Sequence, residues 1–204
     1  MKKFFFKAVV AIFALGLHVA NAQRVELRSG DVGVLSGQKT INVEYDYSSF
    51  GVGKFATEQE YLDKKAGEYN SKEAGKGDAW KKAWVDDRKN RFEPKFEELF
   101  NKGLGEKGVQ VVQSRPDATY TMIVRTKFVE PGFNVGVMRK NAYVDYEIDI
   151  VESNNKSTKV AELGMRNVPG SMAMGMDFDT GARLAESYAK AGKTLSAFLD
   201  KKLK

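Results

Sequence analysis

The chain has 204 residues, 33 of them basic and 27 acidic for a net charge of +6, with no Cys and a single His. The lack of Cys excludes disulfides, a thiol nucleophile, thiolate metal sites and a lipidated N-terminal Cys. The one His, His18, falls in a leader segment, so the rest of the chain lacks the usual general base, the Ser-His-Asp triad and ordinary zinc sites.

Residues 1–22 read as a secretory signal peptide. Lys2, Lys3 and Lys7 make a basic start, residues 8–19 are apolar apart from Gly16 and His18, and Ala20-Asn21-Ala22 is a small-x-small cleavage site. The apolar run is short for a membrane span, and no second run of spanning length follows. Cleavage between Ala22 and Gln23 is expected, leaving residues 23–204 as one α/β domain in the periplasm or outside the cell. Removing the leader lowers the 33 basic residues to 30 against 27 acidic ones. That small excess gives no reason to expect a nucleic-acid partner.

Residues 23–37 alternate Val25 and Leu27 with Glu26 and Arg28. Gly30, Gly33 and Gly37 then interrupt, which predicts a short edge strand or an irregular lead-in. Residues 40–47 alternate cleanly, with Ile41, Val43, Tyr45 and Tyr47 opposed to Thr40, Asn42, Glu44 and Asp46, and predict a strand. Residues 48–108 read as a helical crossover or insertion. Thr57-Glu58-Gln59-Glu60 fits a capping box, and Glu60/Lys64 and Glu68/Lys72 are spaced as i,i+4 ion pairs. The thin apolar content of that helix predicts exposure. Asp78 is the expected cap of a second helix carrying Trp80, Trp84, Phe92, Phe96, Leu99 and Phe100, with Pro94 kinking or restarting it.

A short strand is expected at 109–113. The stretch 117–152 then organises the domain as two long strands. Ala118, Tyr120, Met122, Val124 and Phe128 share one face of the first, and Ala142, Val144, Tyr146, Ile148 and Ile150 share one face of the second. Antiparallel pairing would set Arg125 and Lys127 beside Asp145, Glu147 and Asp149. Asn154-Asn155 is turn chemistry before a further strand at 159–168, and 169–175 reads as a loop. From about Thr180, Leu184, Tyr188, Ala191, Leu195, Phe198 and Leu199 form one helical stripe, with Asp177 or Asp179 as its cap. The fold class is α+β or mixed α/β: a mostly antiparallel sheet of about five strands with helices packed on it. A long crossover follows the first strand, and an amphipathic helix closes the chain.

This order resembles the periplasmic α/β domain of curli-secretion-type lipoproteins, the TolB N-terminal domain and related envelope families. The resemblance rests on the strand at 41–47, the run 118–128 followed by Glu130-Pro131-Gly132, the strand at 142–152 and the closing helix. The missing acylated Cys and the length of 48–108 depart from it. It implies a binding or assembly role in the cell envelope without catalysis.

Two segments carry candidate sites. The connection between the long strands holds Phe133, Val135, Val137 and Met138, apolar residues where a polar turn is usual, and predicts a contact surface for an envelope protein or for a second copy. Trp80 and Trp84 are candidates to extend it. Met172, Met174 and Met176 alternate in a loop and offer thioethers of the kind that suit Cu(I), which makes a small-ligand or copper carrier the alternative. The sequence predicts no cofactor and no catalytic residues. The first reading is an exported, non-enzymatic protein working by protein–protein contact.

Overall fold

The computed structural model describes residues 24–135, 138–170 and 179–203. The expected leader and the cleavage expected between Ala22 and Gln23 lie outside them. The strands are β1 (Val25–Gly30), β2 (Thr40–Asp46), β3 (Gly51–Val52), β4 (Gln110–Val112), β5 (Tyr120–Glu130), β6 (Phe133–Val135), β7 (Met138–Lys140), β8 (Tyr143–Glu152) and β9 (Asn155–Pro169). The helices are α1 (Glu58–Asn70), α2 (Lys76–Asp87), α3 (Glu93–Leu104) and α4 (Thr180–Asp200). Together they form an α+β sandwich. Seven strands make the main sheet in the order β1-β9-β8-β5-β2-β4, with β3 beside β5. β2 runs parallel to β4 and β5, as a crossover connection allows, and β5, β8, β9 and β1 pair antiparallel.

One sheet face is apolar because period-two alternation sends every second side chain to it. Ile41, Val43, Met122, Val124, Tyr146, Ile148, Ile150, Leu163 and Met165 are buried there with Phe96 and Phe100 of α3 and Leu184, Tyr188, Leu195 and Leu199 of α4. Each such side chain contributes roughly 1.5–3 kcal/mol by leaving water. Helices α3 and α4 approach closely at Gly192, where an added Cβ would lie 2.2 Å from the Phe96 carbonyl oxygen. The other sheet face carries ion pairs. Arg125 joins Asp46 and Asp149, Lys159 joins Asp149 and Glu162 at 2.9 Å each, and Arg28 reaches Glu147 at 3.3 Å.

Several local expectations change. Thr126 continues the face of Met122 and Val124 and bonds the Tyr188 hydroxyl at 2.6 Å; the bulge between Thr126 and Phe128 then reverses the parity of β5. Phe128 instead meets Tyr143 at 5.7 Å. Helix α2 begins before Asp78, capped by Gly75 in the left-handed region. In α1 the Glu60 carboxylate accepts from the Ala56 amide at 3.1 Å, closing the cap. Lys64 accordingly turns to Glu68 at 3.5 Å. One π turn, Arg88–Phe92, joins α2 to α3 and places Pro94 in the first turn of α3, where its missing N–H is harmless. The connection between the long strands does not simply prolong them: β6 and β7 pair as a separate ribbon.

Candidate functional site: an aromatic groove beside the hairpin

A groove of about 670 Å³ separates α1 and α2 from the β6–β7 hairpin. A tight turn, with Val52 and Phe55 exchanging backbone hydrogen bonds at 2.9 and 3.1 Å, sets Lys54 and Phe55 at one end. Tyr61, Lys65 and Tyr69 recur every fourth residue on α1, so one stripe of that helix lines the groove. Trp80 of α2 completes this wall. Helix α2 lies close enough for it because Gly77 leaves room: a Cβ there would come within 2.1 Å of the Ala66 carbonyl oxygen. The opposite wall is Pro131, Gly132, Phe133 and Val135.

The hairpin is held from below. Arg183, buried on α4, donates to the Pro131 carbonyl at 3.1 and 3.2 Å and to the Gly132 carbonyl at 3.3 Å. Gly132 turns the chain with φ of 61°, and a Cβ would lie 2.5 Å from the Lys140 carbonyl oxygen. The Glu130 carboxylate accepts from the Gly132 amide at 3.1 Å and pairs with Lys140. That hydrogen bond raises the Lys140 ammonium above the usual lysine range and keeps it charged.

The aromatic wall is continuous. Phe55 meets Tyr61 at 5.8 Å, Tyr61 meets Trp80 at 5.8 Å and Trp80 meets Tyr69 at 5.6 Å, all tilted or edge-on. Burial pushes the Tyr61 phenol up, so it stays neutral. Trp84 lies behind this wall, 5.1 Å from Tyr61, with its indole N–H donated to Glu58. Trp80 and Tyr69 differ from it. Both are half-buried, and among the described residues neither the Trp80 indole N–H nor the Tyr69 hydroxyl has a hydrogen-bond partner.

Phe133, Val135 and Met138 are 43%, 57% and 61% exposed, high values for large apolar side chains. The first two face the groove, and Met138 lies opposite Val135 on the ribbon. Val137 lies outside the described residues, as do Met172, Met174 and Met176 of the copper alternative. Trp80 joins the surface of the hairpin, whereas Trp84 does not. Phe55, Tyr61 and Tyr69 are additions that no local pattern marked. The available signal was that α1 and α2 carry aromatic residues without the apolar neighbours a core stripe needs. Among the described residues, no group of three His, Cys, Asp or Glu is placed to hold a metal ion, and no helix is long and apolar enough to cross a membrane.

No family model matches the chain, and no curated protein does. Among solved structures it is similar to the PelC dodecamer from Paraburkholderia phytofirmans, at 14% identity and a TM-score of 0.39, covering 90% of this chain and 99% of that one. A PelC variant dodecamer from the same organism aligns at 15% identity with the same TM-score of 0.39, covering 86% of this chain and 97% of that one.

Proposed function

We propose that this is an exported, non-enzymatic protein of the cell envelope that works by protein–protein contact through the groove and the rim of its hairpin. The observation that carries this reading is the union of two features far apart in sequence. The solvent-facing apolar residues Phe133 and Val135 border the same hollow as the aromatic wall Phe55, Tyr61, Tyr69 and Trp80. Aromatic side chains with an apolar body and a spare polar atom dominate binding energy where proteins meet. The resemblance to envelope assembly domains and the leader at 1–22 support an envelope location. The absence of Cys and of any His after residue 18 supports contact over catalysis.

The test is Phe133→Ser combined with Val135→Ser. Both side chains are exposed, so thermal stability is expected to change by less than about 0.5 kcal/mol. Capture of a partner from envelope extract, or self-association in sedimentation, is expected to fall markedly. A variant that unfolds makes these residues core. A folded variant with unchanged association removes the surface from consideration.

A further inference from the structure

The chemistry of the groove goes beyond its shape. We infer that it takes an extended polypeptide segment carrying an apolar anchor next to carboxylates; this rests on the contact function proposed above and names its partner's chemistry. The charged lining residues are Lys54, Lys65, Lys140, Arg183 and Glu130. The two buried ones are already engaged: Glu130 by Lys140 and the Gly132 amide, Arg183 by the Pro131 and Gly132 carbonyls. What remains toward solvent is cationic. Lys54 is exposed, lies 5.6 Å over the Phe55 ring, and has no carboxylate partner among the described residues. Lys65 has only a loose 3.5 Å contact with exposed Glu68, the kind of pair that holds little energy in water.

The uncharged polar atoms lean the same way. The Trp80 indole can only donate a hydrogen bond, and the Tyr69 hydroxyl is free to donate one. The groove therefore presents N–H, O–H and ammonium donors around an aromatic floor, with Glu130, the one carboxylate among its described lining residues, closed off. An occupant must supply acceptors and negative charge at the edges and an apolar side chain at the centre. Carboxylates flanking a Leu or Phe on an extended backbone meet all of these demands, the backbone carbonyls serving Trp80 and Tyr69. A basic segment would place ammonium groups against Lys54 and Lys65.

The chain has only two Trp, Trp80 and Trp84, one in the groove wall and one just behind it, so intrinsic fluorescence reports on the site. The full purified protein is titrated with three end-blocked peptides, Asp-Leu-Phe-Asp, Asn-Leu-Phe-Asn and Lys-Leu-Phe-Lys, with calorimetry in parallel. The acidic peptide is expected to bind about tenfold more tightly than the neutral one at low ionic strength, the difference shrinking in 0.5 M salt. Lys54→Glu with Lys65→Glu should invert the preference toward the basic peptide without lowering the melting temperature. Trp80→Phe should remove most of the fluorescence response while calorimetric binding persists. Equal binding of the three peptides, or binding of none, overturns the inference. If none binds but Phe133→Ser with Val135→Ser still abolishes capture from extract, the contact surface stands and only its acidic partner falls.

Discussion

The two helix pairs of this protein spend their apolar residues differently. Helices α3 and α4 lie on the sheet, and α4 alone buries twelve residues, among them Leu184, Tyr188, Leu195 and Leu199. Helices α1 and α2 make an equally close crossing at Gly77, yet bury only Tyr61, Leu62 and Ala66 from one and Gly77 and Trp84 from the other. The first pair is consumed by folding. The second leaves Tyr69 and Trp80 half in water, next to a hairpin that leaves Phe133, Val135 and Met138 there too. Where folding does not use large apolar groups, their exposure asks for another cause, and contact with a partner is the one proposed above.

The sharpest way to break this comparison is to crowd each crossing in turn. Gly192→Val sets a branched side chain against backbone, the Phe96 carbonyl oxygen and the Phe100 amide. Neither atom can swing aside, so a loss of about 3 kcal/mol or more is expected, with the whole chain unfolding in one transition. Gly77→Val meets backbone at Ala66 in the same way, but of the two helices it separates only α1 packs on a strand to any extent, at the short β3. It should loosen α1 and α2 and alter Trp fluorescence while most of the far-ultraviolet circular dichroism persists. Equal global unfolding by both would show that the two pairs form one cooperative unit and that the groove wall is core.

The link between the two regions is Arg183, rooted in α4 and bonded to the base of the hairpin. Arg183→Met keeps most of the side-chain volume and removes the donors. Two carbonyls then lose their charged partner, for an expected cost of about 2 kcal/mol. The more telling readout is hydrogen exchange. Amides of the β6–β7 ribbon should exchange faster while those of β5 and β8 keep their protection. Uniform loss of protection would mean that the hairpin and core are not separable.

How much of this was legible follows from where the information resides. The strands β2, β5 and β8 and helix α4 carry their period in their own residues, and Thr57 with Glu60 closes the expected cap. The bulge at Lys127 carries no such mark, because an extra residue in β5 is defined only against β8. It is why Phe128 leaves the face its position suggests. The start of α2 was missed because Gly75 caps it through backbone conformation, where Asp78 offered a side chain. For the groove, the apolar tip was visible as Phe133 and Val135, and Trp80 was a candidate to extend it. Phe55, Tyr61 and Tyr69 were invisible as a wall, since only the packing of α1 and α2 brings them to a hairpin some 70 residues away.

The smallest expected effect concerns the start of α4, where the two helix pairs meet through charge. Asp179 accepts from the Gly181 amide at 2.8 Å and pairs with Arg91, which also reaches Asp87 at 3.0 Å. Burial alone would raise the Asp179 carboxyl, but the Arg91 guanidinium and the helix amides overcome it and hold it below the usual range. Asp87 goes the other way, raised chiefly by burial despite Arg91. The two signs oppose. A depressed carboxyl stabilises the fold at pH above its unfolded value, and that stability is lost as pH falls through the folded value. A raised one does the reverse: its protonation on acidification favours the fold. Acidification from neutral pH should first relieve Asp87 slightly and then, below the ordinary aspartate value of about 4, cost the Asp179 contribution. Asp179→Asn separates them, because Asn caps a helix as well as Asp does but carries no charge for Arg91. At neutral pH the variant should lose only about 0.5–1 kcal/mol, as an exposed ion pair allows. Its acid limb should be shallower than that of the unmodified chain, while Asp87→Asn should leave the limb intact and remove the slight rise before it. If Asp179→Asn leaves the acid limb unchanged, the Arg91 pair adds no stability and Asp179 acts only as the side-chain cap of α4.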